Sequence, residues 1–145
     1  MSDDYKKWEA DCKKVRVENE KLLEAFGEWL DTKKLKEKTI QDHIFNVDLF
    51  INHYLLYYDV TRAVDGSPLV SSFFHEWFYR KAMWASERTT KQTAASLKKF
   101  YQYLVEAGQV DAEDLVELKE TCRNEMQQWI EAVRRFDDLA DLDEW

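Results

Sequence analysis

Apolar residues recur at three- and four-residue steps along most of this chain, the spacing of helices with one buried face. Tyr5, Trp8, Cys12, Val15, Leu22, Phe26, Trp29 and Leu30 keep that rhythm from residue 5 to 31, with Asn19 where the stripe would continue, so this region is one long helix or two. After the polar link DTKKLKEK, Thr39 and Asp42 mark a new start, and Ile40, Ile44, Val47, Phe50, Ile51, Tyr54, Leu55 and Tyr58 predict a core helix over 39–58. Asp65, Gly66, Ser67 and Pro68 form the densest cluster of breakers and predict the principal loop. Ser67 or Ser71 then caps a third helix, 70–86, whose stripe Phe73, Phe74, Trp77, Phe78 and Trp84 reads as core, because large aromatics are usually buried.

The clearest helix is 89–107. Thr93 or Ala94, Leu97, Phe100, Tyr101 and Leu104 share one face while Lys91, Lys98 and Lys99 leave by the other. Thr89 is the expected cap, with Gln92 reaching back to it, and Gly108 is suited to the left-handed turn that ends the helix. Asp111 and Asp114 open a last helix carrying Leu115, Leu118, Cys122, Met126, Trp129, Ile130 and Val133. The final ten residues, FDDLADLDEW, contain five acids and predict a disordered tail.

Three glycines and one proline in 145 residues leave few breakers, so an all-α fold is expected, with enough apolar and aromatic residues for a core. No apolar run is long enough for a membrane span and the N-terminus is charged, which implies a soluble, cytoplasmic protein. Cys12 and Cys122 lie far apart and outside any metal-ligand spacing, so they read as buried reduced thiols. His43 and His53 are ten residues apart, too far for two imidazoles to share a metal from one helix face, and no nucleophile, paired-acid or phosphate-loop pattern is present. Neither an enzyme nor a cofactor is expected.

The formal charge of −8 is unevenly distributed. Twelve carboxylates against four cations between Gln109 and Trp145 account for all of it, leaving residues 1–108 formally neutral. Within that neutral part, Lys33, Lys34, Lys36 and Lys38 form one basic cluster, and Arg80, Lys81, Arg88, Lys91, Lys98 and Lys99 another.

In the strings LLEAFGEWL, KTIQDHIFNVDLFINHYL, FFHEWFYRKAMWAS and TTKQTAASLKKFYQYLVEAGQV, the chain resembles the SAM-like, core-binding N-terminal domain of tyrosine recombinases, the phage integrase family. The last string is the most specific. The resemblance implies an orthogonal four-helix bundle over residues 22–110, preceded by an N-terminal helical extension, 1–21, and followed by an acidic helix, 111–136, and the acidic tail, 137–145. It also implies a role in DNA recombination or integration, with duplex DNA as partner and the second and fourth helices approaching it. Carried over by position, the contacts would be Lys36, Lys38, Thr39 and Gln41 on one helix and Arg88, Thr90, Lys91, Gln92, Lys98 and Lys99 on or before the other. Lysine and arginine neutralise phosphates, and threonine and glutamine can bond phosphates or base edges. The family's catalytic domain has no counterpart here, since Tyr103 and His75 are the last residues of their types. A second reading is a protein-interaction module whose acidic helix and tail bind a recombinase or another basic protein, mask the basic clusters, or pair with a second copy.

Overall fold

The computed structural model describes residues 2–143, and among them every regular element is helical. No helix among the described residues is long and apolar enough to cross a membrane. Helix α1 spans Ser2–Thr32 without interruption, which settles the choice between one helix and two and leaves no break at 21/22. Its second half places Leu22, Phe26 and Leu30 in the main core, while Cys12 and Val15 of the first half pack on Leu56 in a smaller cluster. Asn19, where the apolar stripe lapses, is fully buried; its amide donates to the Ile51 carbonyl at 3.2 Å and to Asn52 Oδ1 at 2.8 Å. The polar residue thus joins the two clusters by satisfying a carbonyl inside them.

Helix α2, Glu37–Asp48, begins two residues before the expected Thr39, with Lys36 as its N-cap and no side-chain cap. It does not run on as α-helix to residue 58. From Leu49 to Tyr54 it widens into a π-helical turn, in which the Leu55 N–H reaches the Phe50 carbonyl, and then stops. Tyr54 and Leu55 at its end are buried, while Tyr58, in the turn that follows, is exposed. The third helix, α3, has the same character: Val70–Ser72 is α-helical, Phe73–Trp77 is π-helical, and Phe78–Lys81 is α-helical again. Its N-cap is Leu69, not Ser67 or Ser71, and it ends five residues early. Trp84 therefore falls in the following turn, out of register with the buried Phe73, Phe74, Trp77 and Phe78, and is 44% exposed against Phe45. Only four of the five aromatics read as core are buried.

Helix α4, Glu87–Glu106, is central, packing on α1, α2 and the last helix, α5, Ala112–Asp143. Its cap lies three residues before the expected Thr89. The Ser86 hydroxyl accepts from the Thr89 N–H at 3.1 Å, and the Thr89 hydroxyl accepts from the Ser86 N–H at 2.8 Å, a reciprocal box with Thr89 at the third helical position. At the other end Gly108, φ +74°, makes the expected left-handed turn, and the Gln109 N–H returns to the Leu104 carbonyl. That tight reversal lays α5 antiparallel to α4, and at the far end the Arg134 guanidinium meets Glu87 at 3.0 Å.

The loop between α2 and α3 is folded into two 3₁₀ turns, Ala63–Asp65 and Ser67–Leu69, and lies against the core. The fully buried Tyr101 donates its hydroxyl to the Ala63 carbonyl at 2.7 Å, and burial pushes the phenol's pKa far up, so the donor keeps its proton. A Cβ on Gly66 would stand 2.7 Å from that hydroxyl and 2.6 Å from Leu55. Glycine is what lets the chain pass there. Helix α5 continues past 136/137 to Asp143, so residues 137–143 of the expected disordered tail are helical, while residues 144 and 145 lie outside the described residues. Phe136 meets Tyr79 of α3 at 5.5 Å between ring centres, an anchor that the acidic composition of the tail conceals.

Phe100 is fully buried and packs edge-on against Phe26 of α1 at 5.3 Å. Phe100→Ala should destabilise the fold by about 3 to 5 kcal/mol in chemical denaturation. A loss below about 1 kcal/mol would place that face of α4 outside the core.

Candidate nucleic-acid interface

The inner face of α4 buries Thr90, Thr93, Ala94, Ser96, Leu97, Phe100, Tyr101 and Leu104. Three- and four-residue steps then carry Arg88, Gln92, Ala95, Lys99 and Gln102 along the opposite side, with Lys91 and Lys98 flanking them. Neighbouring helices build a groove on each side of this strip.

The first groove, about 260 Å³, lies where the start of α2 meets the start of α4, and Lys38, Arg88 and Gln92 line it together with Asp42, Phe45, Asn46, Trp84 and Thr89. Here the second and fourth helices do bring expected residues side by side. Because Thr89 completes the cap, Gln92 is released from the role of reaching back and lies exposed in the groove. Lys38 pairs with Asp42 at 3.1 Å, an exposed contact of the kind that contributes little and yields readily to a stronger anion. The second groove is larger, about 770 Å³, and runs between α4 and α5. Lys91, Lys98 and Lys99 form one wall; Lys119 and Arg123 of α5 form the other; Ala95, Cys122 and Met126 contribute apolar surface. Among the described residues no carboxylate lines it. Lys91 pairs with Glu87 at 3.5 Å, but the other four cations make no ion pair among the described residues.

Not every expected contact reaches these grooves. Thr90 is fully buried and donates its hydroxyl to the Ser86 carbonyl at 2.6 Å, so it serves the helix start and presents nothing to a ligand. Lys36 and Gln41 are exposed and Thr39 half-buried on the first turn of α2, outside both grooves, and Gln41 donates to Glu37 at 2.9 Å. Lys119 and Arg123 escaped sequence reasoning because the net charge of the last segment hides them. The available signal was their four-residue spacing beside Cys122 and Met126, which turns both toward whatever the apolar stripe packs on.

Ser96 connects the strip to α2. Its hydroxyl lies 2.7 Å from His43 Nδ1, accepts from Asn46 at 3.0 Å and faces the Gln92 carbonyl at 3.0 Å. Partial burial, and secondly the Lys99 ammonium, hold the His43 imidazole below its ordinary pKa. Lys99 therefore lines the α4/α5 groove and is felt by α2 as well. Arg134 donates to Glu87 and, with its charge, keeps that exposed carboxyl below the usual carboxylate range. Among the described residues no three His, Cys, Asp or Glu side chains converge as a metal site requires. Cys12 and Cys122 are both buried and free. Comparison with protein-family models, with curated proteins and with solved structures finds no match to this chain.

A lowered native pKa means that the unfolded chain takes up the His43 proton more readily. The stabilisation is complete above about pH 6.5, the ordinary imidazole value, and is lost as pH falls through the native value. Denaturation at pH 7.5 and 5.5 should therefore show a drop in wild-type stability that is smaller in His43→Gln. Equal drops would mean that partial burial and the Lys99 charge do not disfavour the charged ring.

Proposed function

We propose that this chain is a non-catalytic DNA-binding module of the kind formed by the core-binding domain of tyrosine recombinases, serving as an accessory or regulator in DNA recombination or integration. The observation that carries the reading is the outer strip of α4, exposed at Arg88, Lys91 and Gln92 and half-buried at Lys98 and Lys99. Arg88, Lys91, Lys98 and Lys99 occupy it, with Lys38 across one groove and Gln92 between them. From Arg88 to Lys99 the strip is about 17 Å long at about 1.5 Å per residue. Duplex DNA carries one charge per about 1.7 Å of axis, so several phosphates come within reach of a duplex laid along it. The exposed Gln92, freed from capping, has the amide needed to read an adenine edge.

The acidic balance of the whole chain does not oppose this reading, since salt screens charges more than about 10 Å apart and a ligand responds mainly to the face it meets. None of the carboxylates of α5 pairs with Lys91, Lys98 or Lys99 among the described residues. Binding should be weak, largely independent of sequence and steeply dependent on salt, because each phosphate contact releases condensed counterions. The test is a salt titration of duplex binding by the wild type beside a Lys91→Ala, Lys98→Ala, Lys99→Ala variant. The log–log slope should fall by roughly 0.9 for each contact removed. Absence of wild-type binding at about 50 mM salt, or an unchanged slope in the variant, would refute duplex binding by this strip and favour protein interaction through the acidic helix.

A further inference from the structure

We infer that the groove between α4 and α5 is a two-walled phosphate cleft, and that Lys119 and Arg123, on a helix whose overall charge is acidic, are ligands of the DNA backbone on a par with Lys98 and Lys99. This rests on the duplex-binding reading above and adds to it a second helix.

Four observations converge. Lys119 and Arg123 stand one helical turn apart on the wall facing Lys98 and Lys99, and none of the four has a carboxylate partner among the described residues. Like charges gathered around one groove repel each other, and a bound polyanion relieves that repulsion. Among the described residues no carboxylate of α5 lines the cleft: Glu125 lies 2.9 Å from His75 Nε2 of α3 and also accepts from Ser71, helical spacing sets Glu113 and Glu117 about a third to half a turn around the helix from Lys119, and Glu120, three residues before Arg123, makes no ion pair with it. The apolar surface of Ala95, Cys122 and Met126 excludes water from one side of the cleft, which strengthens attraction between charges. Burial raises the pKa of the Cys122 thiol, so it adds no anion to the groove. The two new residues also differ in what they offer. Arg123 has the planar fork that grips two phosphate oxygens at once, whereas Lys119 is a point charge able to follow the backbone.

The antiparallel packing of α5 on α4 makes this arrangement possible. The reversal at Gly108 and the Arg134–Glu87 contact mark the two ends of the α4–α5 pairing, which the burial of Leu118, Cys122 and Trp129 holds together, and the cations lie between those ends. The acidic segment is therefore not simply a mask laid over the basic cluster: its groove-facing wall extends the cluster.

The experiment is fluorescence anisotropy of a short labelled duplex across a salt series, with full-length protein throughout. Four variants are compared with the wild type: Lys98→Ala with Lys99→Ala; Lys119→Ala with Arg123→Ala; Lys119→Arg with Arg123→Lys; and, as a control for net charge, Lys6→Ala with Lys7→Ala on the exposed start of α1. Circular dichroism checks that each is folded. The α5 alanine pair should lower the log–log slope by roughly 1.8, as the α4 pair does, at about 0.9 per contact. The charge-conserving pair and the α1 control should keep the wild-type slope. If the α4 pair lowers the slope and the α5 pair behaves like the control, the cleft has one wall and this inference is overturned while duplex binding stands. If the wild type does not bind the duplex, both fall together.

Discussion

Everything in this fold depends on how closely its neighbours approach the inner face of α4. Ala94 and Ser96 on that face are fully buried, and Thr93 nearly so, because their side chains are small enough to let another helix backbone come near. Phe100, Tyr101 and Leu104 then fill the space toward α1 and the α2–α3 loop. A single helix is thereby surrounded on most of its circumference, and what remains exposed is a narrow strip between two walls. The grooves follow from that packing, since α2 and α5 can only lie where the small residues admit them. Ser96 shows the coupling most directly: its hydroxyl serves the helix backbone, fixes His43 and Asn46 of α2, and stands one turn from the half-buried Lys99.

Charge is segregated twice, once along the chain and once around it. Along the chain, the last segment contains the entire −8. Around it, the cations of α4 and α5 meet across one groove while Glu125 of α5 turns to His75 and Ser71 and Glu87 is neutralised by Lys91 and Arg134. Electrostatic attraction decays within about 10 Å at ordinary salt, so a ligand in the groove is governed by the local cations and much less by the total.

The all-helical class, the end of α4 at Gly108, the start of α3 at Val70, and most of the core were legible in the sequence because they depend on residue spacing and on glycine or proline chemistry. Some errors have one cause. Three- and four-residue periodicity assumes a uniform helix, and the two π-helical turns at Leu49–Tyr54 and Phe73–Trp77 break that assumption without any breaker residue to announce it. Tyr58 and Trp84 are a separate case, since each lies in the turn beyond the early end of its helix. The cap moved to Ser86 because Thr89 can serve as either cap or third residue, and only the geometry of the box distinguishes the two. Of the candidate site, Lys38, Arg88 and Gln92 were brought into one groove and Lys91, Lys98 and Lys99 into the other, whereas Thr90 sits inside the helix bundle. Lys119 and Arg123 were overlooked because summed charge describes a segment, and a groove is made by one face of it.

The central claim is that the outer strip of α4, and not the acidic surface of α5, is where this protein meets nucleic acid. A titration of isotope-labelled full-length protein with a short duplex, followed by amide chemical shifts at low salt, addresses that claim residue by residue. Shifts concentrated between Arg88 and Gln102, with companions at Lys38 and around Lys119 and Arg123, are the expected result. Shifts confined to other surfaces, or none at saturating duplex, would contradict it.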